Sequence, residues 1–128
     1  MGMYTEIFFR AEVDFGAHGV LERMAEGYSR LHDSGWPDHP LFSTDRFLSL
    51  MACGSYYFPG ANHLEFEKRT YDEGVCVSFR ANLKNYGSEI EKFFDWVAPH
   101  VLDGEGTFLG YSLYEEADVP QLYFKGGQ

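Results

Sequence analysis

The chain is poor in the residues that most directly advertise a function. It carries 10 basic side chains against 20 acids in 128 residues, a net charge of −10. A direct nucleic-acid binder needs Lys and Arg to displace counterions from phosphates, and docking on anionic lipid needs the same charges. Neither role is expected here. Cysteine is nearly absent. Cys53 and Cys76 are too few for a disulfide framework and have no CxxC spacing, so reduced thiols in a cytoplasmic protein are the expectation. No apolar run approaches the roughly 18 residues that cross a bilayer. The first residues include Glu6, Arg10 and Glu12 and lack the three regions of a signal peptide.

Signatures of chemistry are equally sparse. Zinc needs three or four converging ligands. His32, Asp33, Asp38 and His39 share a segment, but no HxxxH, HExxH or CxxC spacing accompanies them. Gly104-Glu105-Gly106 is the only GxG, and its carboxylate beside Asp103 would repel a phosphate. Ser49, Ser55, Cys53 and Cys76 lie in no nucleophile elbow and beside no evident base. The adjacent acids Glu115 and Glu116 would point to opposite faces of a strand and could not share a site. No catalytic residue, metal or cofactor is therefore assigned.

What is present is apolar and aromatic: 45% hydrophobic residues, with 12 Phe, 9 Tyr and 2 Trp. That is enough for one domain, residues 1–128, with a core that needs no staples. Residues 4–13 alternate, with Ile7, Phe9, Ala11 and Val13 against Glu6, Phe8, Arg10 and Glu12, which predicts a half-buried strand. Residues 18–32 carry Val20, Leu21, Met24, Tyr28 and Leu31 on one stripe, which predicts a helix. Residues 33–44 hold Gly35, Pro37 and Pro40 and read as a loop. Strands are expected over 46–58, 63–70 and 75–82, joined by turns at 59–62 and 72–74. Ser88-Glu89-Ile90-Glu91 has the pattern of a capping box opening a helix that buries Ile90, Phe93, Phe94 and Val97 and ends near Pro99. Further strands are expected over 107–114 and 121–125. The order β-α-β-β-β-α-β-β predicts an α+β fold: a single antiparallel sheet of about five to six strands with both helices on one face, of which a ferredoxin-like variant is one wiring.

Two surfaces suggest a role. Between Phe93 and Phe124 lie Asp95, Asp103, Glu105, Glu115, Glu116 and Asp118 with no Lys or Arg, so this segment holds more than half of the net charge. A negative patch of this kind complements a basic surface on another protein. Trp36, Phe42 and Trp96 are the expected aromatic anchors for such a partner. The sheet face away from the helices would carry Cys53, Tyr56, Ser78, Arg80 and Tyr111, which could bind a planar small molecule.

Met3-Tyr4-Thr5-Glu6, Ser55-Tyr56-Tyr57-Phe58, Pro37-Asp38-His39-Pro40 and the run Leu83-Lys84-Asn85-Tyr86 through Glu89-Ile90-Glu91-Lys92-Phe93-Phe94-Asp95-Trp96 resemble a family of small uncharacterised phage and prophage accessory proteins. The resemblance implies a mobile-element setting and no particular activity. Together these observations predict a non-enzymatic, acidic protein-interaction module whose partner is a host protein with a basic surface. An anti-defence inhibitor, anti-CRISPR-like in occupying a nucleic-acid-binding groove, is its most specific form, and the sequence leaves homo-oligomerisation open. The alternative is a small-molecule binder or small enzyme that uses the aromatic sheet face.

Overall fold

The computed structural model describes residues 4–25, 35–44, 47, 50, 63–68 and 74–126; at 63, 64 and 68 only the backbone is described. β1 (Thr5–Asp14) leads directly into α1 (Phe15–Ala25). β2 (His63–Lys68) and β3 (Gly74–Leu83) follow, then α2 (Glu89–Val97), a 3-10 turn at Ala98–His100, β4 (Phe108–Tyr114) and β5 (Gln121–Phe124). The sheet order is β2-β3-β1-β4-β5, with every neighbouring pair antiparallel. Its first four strands have the order of a ferredoxin-like split β-α-β arrangement, and β5 extends the β4 edge.

The fold is α+β as expected, with one strand fewer among the described residues. Most of the predicted 46–58 strand lies outside them, and of its described positions Phe47 sits in a turn and Leu50 is helical. The first helix also starts three residues early. Asp14 ends β1 and caps α1, its Oδ1 accepting the Ala17 amide at 2.8 Å, so Gly16 lies inside the first turn.

Alternation assigns the two faces. Ile7, Phe9 and Val13 of β1 and Val75, Val77, Phe79 and Leu83 of β3 are buried beneath the helices. Phe9 is the hub, with ring centroids 5.1 Å from Phe93, 5.7 Å from Phe79 and 6.0 Å from Phe94. The α2 stripe of Ile90, Phe93, Phe94 and Val97 is buried as its spacing predicts. Its start differs from the capping box. Ser88 makes no side-chain cap and occupies the left-handed region at φ 57°. Asn85 replaces it: Oδ1 accepts the Ile90 amide at 2.9 Å, and Nδ2 donates to Glu91 at 2.9 Å.

Gly110 lets β4 close on β1. It pairs with Phe9 beside an irregularity of the β4–β5 ladder, and a Cβ there would fall 1.8 Å from the Phe8 carbonyl oxygen.

Candidate interaction surfaces

The open sheet face is built by the even positions of β1 and β3 and their cross-strand partners. Arg80 pairs with Phe8, Phe8 with Tyr111, and Arg10 with Ser78. Register thus brings Ser78, Arg80 and Tyr111 to one face, as expected from sequence. Cys53 and Tyr56, the other residues of that predicted set, lie outside the described residues. The Phe8 and Tyr111 rings stack with centroids 5.6 Å apart. The Tyr111 hydroxyl donates to Glu6, a carboxylate the sequence reading did not single out although it shares the strand alternation. Burial and the Glu6 charge push the Tyr111 phenol up to about 12, against the opposing influence of Arg80.

Across this face the character changes from polar to apolar. Glu65 and Glu67 of β2 face Ser78 and Cys76 of β3. With Arg10, Glu12 and Asp103 they border a trough of about 450 Å³. Its end is set by the segment after α2, where the Leu102 amide donates to the Glu12 carbonyl at 2.8 Å and the Glu12 amide to Asp103 Oδ2 at 3.1 Å. Towards β5 the face turns apolar, with Phe108 39% and Leu122 45% exposed. Phe108 meets Phe124 at 5.6 Å.

The six acids of the last third do not form one patch. Asp103 and Glu105 precede β4, whereas Glu115, Glu116 and Asp118 follow it. A seven-residue strand separates the two groups by roughly 20 Å. Glu115 is fastened to the N-terminal end of β1, accepting the Tyr4 amide with its carboxylate and donating its own amide to the Tyr4 carbonyl. Asp95 projects from α2 and accepts from His39 Nε2 at 2.9 Å.

The expected aromatic anchors are brought together. Trp36, Phe42 and Trp96 pack on one another and on Phe47: Phe42 lies 5.7 Å from Trp36 and 5.4 Å from both Phe47 and Trp96. Trp96 is only 6% exposed. The Arg23 guanidinium covers Trp36 at 4.0 Å. Trp96 belongs to the core, and Trp36 and Phe42 pack against it half-buried.

A second concavity, of about 540 Å³, runs between α2 and β5 on the helix side. Phe94 and Tyr123 form its floor as a face-to-face stack at 3.9 Å, with Leu109 beside them. Glu91, Asp95 and Glu105 stand on its rim. Among the described residues, no three His, Cys, Asp or Glu side chains converge as metal donors, and no helix is long and apolar enough to cross a membrane. No family model, curated protein or solved structure matches the chain.

Proposed function

We propose that the chain is a non-enzymatic protein-interaction module that receives a partner with a basic surface on the open face of its sheet. The observation that carries this reading is the adjacency on that face of exposed Phe108 to a trough bordered by Glu12, Glu65, Glu67 and Asp103. Apolar contact area supplies affinity, and the carboxylates supply orientation and association rate. The net charge of −10 favours a cationic partner. A protein that grips nucleic acid has such a surface, so occupation of a nucleic-acid-binding groove is the most specific form of the proposal. The phage-like resemblance of the sequence is in keeping with it.

The test compares wild-type protein with a Glu65→Lys/Glu67→Lys/Phe108→Ser variant as bait in host lysate. The expected outcome is capture by the wild type that weakens with salt and disappears in the variant. Equal capture by both would overturn the reading. The small-molecule alternative has one observation in its favour, the convergence of Tyr111, Arg80 and Ser78 beside a trough of ligand size. It predicts that the small-molecule filtrate of the same lysate raises the melting temperature, and that Tyr111→Phe with Arg80→Ala removes the shift.

A further inference from the structure

The α2–β5 groove lies on the other side of the sheet and runs along a strand edge. β5 is the last strand of the sheet, and no described strand pairs with its outer side. Lys125 directs both of its backbone groups to the segment that enters β4, its amide donating to the Thr107 carbonyl at 2.9 Å and its carbonyl accepting from the Gly106 amide at 2.9 Å. Backbone groups alternate along a strand, so Tyr123 also turns inward, and the N–H and C=O of Leu122 and Phe124 turn outward. Edge groups of this kind are a template for a further strand.

The two sides of that edge differ in chemistry. Below it Glu91, Asp95 and Glu105 rim the groove over the buried Phe94–Tyr123 stack. Above it are Leu122 and Phe124. Lys125, which lines this groove, donates its ammonium to the Val101 carbonyl. A strand laid along β5 would place alternate side chains below and above. Side chains below suit Lys or Arg, whose heads would meet the Glu91, Asp95 and Glu105 carboxylates. Side chains above suit apolar residues.

We propose that β5 recruits an extended segment of a partner protein by strand addition, and that this segment alternates basic and apolar residues. The proposal rests on the protein-interaction reading and gives it a second, separable contact. Strand addition would supply affinity through main-chain bonds to Leu122 and Phe124, and selectivity through the alternate pockets.

The experiment uses a synthetic pool of octapeptides with Lys or Arg at alternate positions and Val, Ile, Leu or Phe between them. Amide NMR and hydrogen exchange are followed on the whole chain. The expected result is a shift and at least a tenfold gain in exchange protection at the Leu122 and Phe124 amides. It should vanish when the peptide backbone is N-methylated at alternate residues or when Glu replaces Lys and Arg. Asp95→Lys/Glu105→Lys should weaken binding about tenfold, the effect of reversing two rim charges. Absence of protection at both amides, or equal binding by the charge-reversed variant, overturns the proposal. Shifts confined to Ser78, Glu65 and Glu67 also overturn it, while supporting the open-face reading. The groove variants leave the open face untouched, so failure of one contact is distinguishable from failure of the other.

Discussion

His39 holds the loop at residues 35–44 against α2 by using both ring nitrogens. Nε2 lies 2.9 Å from Asp95 Oδ2, and Nδ1 accepts the Leu41 amide at 3.0 Å. A nitrogen that accepts carries no proton, so the hydrogen sits on Nε2 and is donated to Asp95. The two bonds are unequal in value. The Leu41 amide opens the short 3-10 helix at Pro40–Ser43 and is partly buried, whereas Asp95 is largely in solvent.

His39→Ala should therefore cost about 1 kcal/mol, the usual value of a lost cap. Asp95→Ala should cost less, because exposed pairs contribute little. His39→Asn should recover most of the loss, since its shorter acceptor still reaches an amide two residues on. Urea denaturation of the three variants checks the order.

The start of α2 discriminates between two capping schemes. Asn85→Ala should destabilise by about 1 kcal/mol. Ser88→Ala should have little effect, because the hydroxyl makes no cap bond. Ser88→Gly should raise stability, since glycine enters the left-handed region without the Cβ penalty. A melting temperature that falls with Ser88→Ala and holds with Asn85→Ala would restore the capping box.

Gly110→Ala tests the closure of β4 on β1. The added methyl meets backbone on the central strand, which cannot swing aside as a side chain can. The expected loss is about 1–3 kcal/mol, as for overpacked cores. It should appear as a lowered denaturation midpoint.

Tyr111 makes stability depend on alkaline pH. Its folded value, pushed up to about 12, lies above the ordinary 10.0. The unfolded chain thus ionises first. The contribution is complete below pH 10 and is lost as pH rises towards 12. Glu6→Gln removes a neighbouring charge and should lower the Tyr111 value, which spectrophotometric titration of tyrosinate would show as one fewer late-ionising phenol. An unchanged late phenol would exclude Glu6 as a cause.

The strand alternations of β1 and β3 and the apolar stripe of α2 were legible in the sequence, because each is set by local periodicity, whereas the order of strands in the sheet was not. The faces of the sheet followed directly, and with them the sharing of Ser78, Arg80 and Tyr111. The 46–58 segment was harder: a continuous apolar run has no period to separate strand from helix, and Leu50 is helical.

The sequence by itself determined an acidic α+β chain with its charge concentrated after α2. Tertiary structure decided where that charge acts. β4 threads through the acidic segment and carries its acids to opposite ends of a strand, so proximity along the chain did not become proximity in space. Trp36 and Phe42 of the 35–44 loop pack half-buried against the core, because removing apolar area from water is favourable. The groove between α2 and β5 exists only after folding. Its floor joins Phe94 to Tyr123 and its rim joins Glu91 and Asp95 to Glu105, pairings that no local pattern encodes.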